Sequence, residues 1–255
     1  MTLGDLLTLL RESILNDRTD RVSGSSDFLW TDKTLCIYIN EAQRRFAVKS
    51  FILRDGTTDE ATLVTLKAGQ AVYPLNPAVL SVLSARRSTQ EADLLRVGHA
   101  LFAVPRGPTE RPVDPAQYHT LQPGPPLAFA TDEAVNDVDG DSFQQISLRV
   151  YPVPNAEQDG QTIRLRVVRK PLNRLVETAL SAVPELPEDH HIEMLDWAAY
   201  LALRIVDDDA GAPRRAAEFA ASFEAHVTAA RKLAMAKMFA PIPWGFGRGG
   251  FSWDS

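Results

Sequence analysis

One cysteine, Cys36, is all the thiol chemistry in 255 residues. A single thiol excludes an intramolecular disulfide and any zinc site built from several cysteines. Cys36 falls inside a predicted helix, where it reads as a small buried apolar residue rather than a nucleophile. Also missing is any unbroken apolar run of the roughly 18–20 residues that a bilayer-spanning helix needs. The amino-terminal stretch MTLGDLLTLLRESI is acidic and amphipathic, without the basic start and apolar run of a signal peptide. The chain is therefore expected to be cytosolic when made and to have no membrane partner. Basic charge is in deficit: 27 Lys and Arg stand against 33 Asp and Glu, a net charge of −6. A protein that grips nucleic acid over its whole surface has the opposite balance, although local basic stripes remain open. There is no phosphate-binding P-loop, no dinucleotide fingerprint, no Gly-x-Ser-x-Gly elbow and no internal repeat. The expectation is a protein with no catalytic residues and no cofactor.

What is present is helical at both ends. Leu3, Leu6, Leu7, Leu10 and Ile14 recur at helical spacing, with Thr2 placed to cap them. A polar loop over residues 17–30 follows. Thr31 then caps a second helix from Asp32 to about Phe51. Towards the carboxyl end, Pro187 to Asp209 reads as one long helix. Ile192, Leu195, Ala199, Ala202 and Val206 share a face, and Met194, Trp197, Leu201 and Ile205 widen it. A helix apolar over that much of its circumference is buried among neighbours. Gly211 and Pro213 stop it, and a second long helix runs from Pro213 to about Phe239. Its seam is Phe219, Phe223, Val227, Ala230, Leu233 or Ala234, and Met238. The short link makes these two helices antiparallel neighbours.

Between the helical ends the period changes to two. Residues 61–67, 71–74 and 79–86 read as strands, with weaker candidates at Leu94–Leu95 and 100–104. Seven of the 17 prolines fall within 105–126, which rules out a helix or a central strand there. Residues 127–131 return as a strand, and 136–141 form a turn. The clearest alternation is over 143–151 and 161–170, read as an antiparallel pair with one buried and one polar face. Residues 171–186 lead back irregularly to the helices. The expected fold class is α+β: a four-helix bundle formed by the two terminal helix pairs, with an inserted antiparallel β-rich domain and an extended carboxyl-terminal arm. The expected boundaries are 1–55 and 181–240 for the bundle halves, 56–180 for the β insertion and 241–255 for the arm.

Several clusters invite a chemical reading. His190, His191, Glu193 and Asp196 look like metal ligands, but no second such motif completes a site, so a polar first helical turn is the expectation. Asp207, Asp208 and Asp209 oppose the helix dipole at a carboxyl terminus; they read as a solvated end, an ionic contact to a neighbouring subunit or the channel, or a metal site, with Arg214 and Arg215 as candidate partners in cis or in trans. Arg149, Arg164 and Arg166 are expected on the outward face of the β pair. That face is either solvated, a subunit interface, or a lining for a phosphate backbone. His99, His119 and His226 have no recognisable partners. The single Gly247–Arg248–Gly249–Gly250 segment is only weakly like RNA-binding Arg-Gly repeats.

The arm is the oddity. Pro243, Trp244, Phe246, Arg248, Phe251 and Trp253 lie among glycines and prolines that cannot make a helix or a lone strand. Burying four aromatic rings returns about as much free energy as immobilising the backbone of the arm costs, so the arm is expected to dock on another chain.

An ordered set of motifs adds to this reading. Ala68-Gly69-Gln70-Ala71-Val72-Tyr73-Pro74-Leu75-Asn76, followed by Val79 to Arg86, resembles a signature of tailed-phage head-to-tail adaptor (connector, or head-completion) proteins. Pro123 to Phe129, Leu148 to Ala156, Arg166 to Pro171 and Leu186 to His191 with Leu195 to Ala202 are similar to further pieces of that family. So is the helix pair ending near Asn40 to Phe46. The resemblance covers nearly the whole chain in order and is weakest after Ala240. It implies a structural virion protein at the head–tail interface, present in the host cytoplasm during assembly. It implies a dodecameric ring beneath the portal that extends the DNA channel, a carboxyl-terminal segment that reaches the portal, and no catalytic residues. The implied partners are further copies of the chain, the portal protein, a tail tube or nozzle protein, and transient non-specific contact with double-stranded DNA. Another reading is a tail-associated carbohydrate- or receptor-binding component, its site built from Tyr73, Phe102, Tyr118, Phe129, Phe143 and Tyr151. A third is a metal-dependent enzyme centred on His190 and Glu193.

Overall fold

A computed structural model describes residues 1–17, 28–89, 92–97, 123–131, 145–204 and 212–238. Helix α1, Leu3–Thr8, starts where Thr2 and Asp5 cap each other: the Thr2 hydroxyl accepts the Asp5 N–H and the Asp5 carboxylate accepts the Thr2 N–H. The chain continues as a wider π-helical segment, Leu9–Leu15, and leaves it at Asn16 in the left-handed conformation that asparagine tolerates. Helix α2, Asp32–Ser50, is capped by Thr31 and buries Leu35, Ile39, Ala42 and Phe46 at steps of three and four. Helix α4, Leu195–Leu203, and helix α5, Ala212–Met238, pack on α2. The centre of this core is aromatic: the Phe223 ring meets Phe46 edge-on at 5.8 Å and Trp197 at 5.1 Å. Among the described residues there is one further α-helix, α3, Asp59–Thr62, which lies in the β part.

The mixed α+β class stands, but the four-helix bundle of two helix pairs is corrected. The region from Pro187 to Asp209 is not one long helix: Pro187 is extended, Glu188–His190 form a 3-10 turn, and among the described residues of this region α-helix covers Leu195–Leu203. Ile192, expected on the buried face, is 58% exposed because it lies in the irregular turns before α4. One side of the helical part is instead closed by residues 171–186, which contribute Leu175 and Leu186 to its core. Their carbonyls satisfy the open start of α1, with the N–H groups of Leu3 and Gly4 donating to Ala182 (2.7 Å) and Leu180 (2.9 Å). Asn40 of α2 pins the same stretch, its side chain donating to the Leu175 carbonyl and accepting the Leu175 N–H, both at 2.8 Å.

Among the described residues the β part is a sandwich of two four-stranded sheets. The first holds β1 (Arg54–Asp55), β2 (Leu63–Thr65), β4 (Val79–Arg87) and β8 (Thr162–Arg169). Strand β8 is its hub, with β1 and β2 along one edge and β4 along the other, all antiparallel. The second sheet runs β3 (Val72–Pro74), β7 (Ser147–Tyr151), β6 (Ala128–Thr131), β5 (Leu95–Arg96). The expected pairing of 143–151 with 161–170 is therefore overturned, because β7 and β8 lie in different sheets and face each other across the core. Both carry an alternating apolar pattern, which shows a half-buried strand but not the partner on its edge. Ile163, Leu165 and Val167 from one sheet meet Leu148, Val150 and Phe129 from the other in one cluster.

Sandwich and helices are tied by a buried ionic junction. Arg169, at the end of β8, donates from Nε to the Asp55 carboxylate at 2.6 Å and from a second nitrogen to Glu185. Glu185 also accepts the N–H groups of Leu172 (2.9 Å) and Asn173 (2.6 Å), while its own N–H donates to the Gln43 side chain of α2 at 3.2 Å.

Candidate functional site

The outward face of the first sheet carries the most concentrated basic charge among the sequence candidates. Alternation along β8 turns Arg164 and Arg166 away from the core while Ile163, Leu165 and Val167 fill it. Register then places Arg86 of β4 opposite Arg164, and Ser84 opposite Arg166. These side chains, with buried Arg87, line an open groove of about 630 Å³ whose other walls come from Gly56 to Asp59 and from Asp93. Arg164 is engaged: its guanidinium binds Asp59 at 2.7 Å and reaches the Thr57 carbonyl at 3.3 Å. Arg86 and Arg166 are exposed, and their side chains make no hydrogen bond or ion pair among the described residues. Arg86 lies directly across from Arg164 and diagonal to Arg166, and like charges on neighbouring strands repel, so this arrangement favours an anion beside them. Planar guanidinium groups at that spacing suit carboxylate or phosphate oxygens, which they bind two bonds at a time.

Arg149 does not join them. It lies half-buried on β7 in the second sheet, next to Tyr151, whose hydroxyl is 3.5 Å from its guanidinium. The split follows from the strand pairing that alternation alone could not reveal. Asp207, Asp208 and Asp209 lie outside the described residues, as do Pro243, Trp244, Phe246, Arg248, Phe251 and Trp253. Arg86 was missed in the sequence. Its signal was the alternation of Ser84 and Arg86 within the strand 79–86, which places an arginine beside those of β8 once the two strands pair.

The histidine cluster is split: His191 turns its Nε2 to the Leu186 carbonyl at 2.8 Å, while the others form one hydrogen bond and two longer ionic contacts. His190 Nδ1 lies 2.6 Å from Glu193, and His226 of α5 lies 3.3 Å from Glu193 and 3.7 Å from Asp196. His226 thus has partners that the sequence did not disclose. Burial pushes the Asp196 carboxyl up, against the lowering effect of a hydrogen bond from Ser222 and the charge of His226. Among the described residues no group of three or more His, Cys, Asp or Glu side chains is arranged to hold a metal ion. Cys36 is 3% exposed, and its Sγ donates to the Leu175 carbonyl at 3.3 Å. Burial pushes its thiol up, away from the reactive thiolate. Of the aromatics proposed for a carbohydrate site, Tyr73, Phe129 and Tyr151 are buried, and Phe102, Tyr118 and Phe143 lie outside the described residues. No helix among the described residues is long and apolar enough to cross a membrane.

The described residues thus form a helical part tied to a β-sandwich that carries a charged outward sheet face. The chain belongs to the SU10 adaptor protein family, whose match spans residues 1–242 and so covers both parts of the fold. This is a phage head–tail adaptor family, and the chain is accordingly a structural adaptor and a virion component. The matched stretch ends at Ile242, before Pro243 and the aromatic residues of the arm. No curated protein matches the chain.

Proposed function

We propose that this adaptor assembles as a dodecameric ring on the capsid portal, extends the DNA channel and presents the docking surface for a tail tube or nozzle protein at the head–tail interface. The observation that carries the reading is the family match across the helical part and the sandwich together. The helical part builds the ring, and the arm from residue 241 to 255 reaches the portal. Twelve weak arm contacts made at once by a closed ring act at high effective concentration, so each arm need not bind tightly alone. Double-stranded DNA passes through with transient, non-specific contact. An excess of acid over base lets a duplex slide, because holding phosphates needs Lys and Arg.

The test is co-sedimentation with purified portal rings, with electron microscopy of the product. The native chain is expected to add a twelve-fold layer to the portal. A chain lacking residues 241–255 is expected to keep its thermal unfolding transition and to stay in the supernatant. Sedimentation of the truncated chain with portal at the native level refutes the role of the arm, and a native chain that leaves the portal bare refutes the ring.

A further inference from the structure

We propose that the arginine groove of the first sheet receives a carboxylate-rich stretch of a second copy of this chain, residues 132–141, so that neighbouring copies are joined through the sandwich as well as through the helices. This rests on the ring reading above and names one of its contacts. Arg86 and Arg166 are the open donors, on adjacent strands of one outward face, while Arg164, opposite Arg86, is held by Asp59. The sequence of this chain supplies a matching anion. Asp132, Glu133, Asp137, Asp139 and Asp141 fall within ten residues that contain no Lys or Arg.

Two alternatives fit less well. A duplex gains affinity by neutralising many phosphates, but this groove offers two uncommitted guanidinium groups, and Asp59 and Asp93 on its walls repel a phosphate backbone. Individual carboxylates on a peptide can sit between those acids. The strands that flank this stretch in its own chain, β6 ending at Thr131 and β7 starting at Ser147, belong to the second sheet, across the sandwich core from the groove. A second copy brings the stretch to the groove without that detour. A contact between two different surfaces of identical chains is head-to-tail, the type that closes into a ring when the rotation permits.

The probe is a synthetic peptide of residues 130–144, titrated in low salt into the full chain at a concentration where sedimentation shows a monomer. Saturable binding is expected. Replacing both open donors (R86Q with R166Q) is expected to weaken it roughly tenfold or more, as loss of charge-assisted bonds does. Raising the salt from about 50 to about 300 mM is expected to weaken it as well. A peptide with its five acids changed to amides is expected not to bind, a comparison that needs no substitution in the protein. Absence of binding overturns the proposal, as does equal binding by the doubly substituted chain. Binding only to a chain whose own 132–141 acids are neutralised places the stretch in its own groove and overturns the copy-to-copy contact. A short DNA duplex that displaces the peptide at equal charge concentration overturns the choice of ligand. Portal co-sedimentation of the native chain separates the two failures: rings on the portal without peptide binding remove only this contact.

Discussion

Replacing Arg169 with methionine removes the guanidinium from the junction between sandwich and helices while keeping most of the side-chain volume. Arg169 is 8% exposed, and its two carboxylate partners, Asp55 and Glu185, have side chains only 5% and 17% exposed. Two poorly hydrated carboxylates would then face each other without a cation. Breaking a buried ion pair from one side costs about 3–5 kcal/mol, because the charge left behind is neither hydrated nor compensated. With a urea slope of about 2–3 kcal/mol per molar, the unfolding midpoint falls by about 1–2 M. The assay is urea unfolding at neutral pH, followed by tryptophan fluorescence and by far-ultraviolet dichroism. If the junction couples the two parts, both probes shift together or the helical and β signals separate. A midpoint within about 0.3 M of native, an energy of under about 1 kcal/mol at that slope, refutes the argument that this triad carries the junction.

The same junction gives a pH dependence. Burial alone would push the Asp55 carboxyl up, but the N–H groups of Thr58 and Thr57 and the Arg169 guanidinium outweigh it and hold the carboxyl well below the usual range. A depressed carboxyl contributes stability that is full above its unfolded value, about 3.9, and is lost as pH falls through the folded value. Stability is therefore expected to fall more steeply below about pH 4 in the native chain than in Asp55→Asn, measured by thermal unfolding from pH 6 to pH 3. Asn40→Leu leaves the Leu175 N–H without its acceptor and the Leu175 carbonyl with only the weak Cys36 thiol as donor, and is expected to cost about 2 kcal/mol in urea unfolding. Gly160 has φ of +77° with nothing within 4 Å of a Cβ built on it. Gly160→Ala is thus expected to destabilise by about 1 kcal/mol through backbone strain alone.

How much of this was legible in the sequence depended on the range over which each signal acts. Caps are local, and they were readable: Thr2 and Thr31 cap as expected. Period-two alternation correctly put Ile163, Leu165 and Val167 on a buried face. It was silent about edges, so the partner of β8 was misassigned and Arg149 was grouped with arginines of the other sheet. The apolar stretch from Met194 to Ala202 was rightly placed in the core, but its length was overread. Nothing local showed that Glu188–His190 would tighten to a 3-10 turn, or that residues 171–186 would close the helical part by hydrogen bonds to α1 and α2. The Asp55–Arg169–Glu185 junction spans 131 positions, counting from 55 to 185, and no spacing rule reaches that far.

Because among the described residues β1, β2 and β4 pair with β8 and not with one another, the first sheet has no ladder between its strands until the chain has been made past residue 162, and no complete one until residue 169. A ribosome-bound chain shorter than the first of these lengths holds three strands with open backbone edges and nothing native to zip onto. Late closure of this kind means long-range contacts, slow folding and a window in which nascent copies can pair wrongly with each other. Production at lower temperature, or with a chaperone that shields strand edges, should therefore raise soluble yield more for this chain than strengthening its helices would.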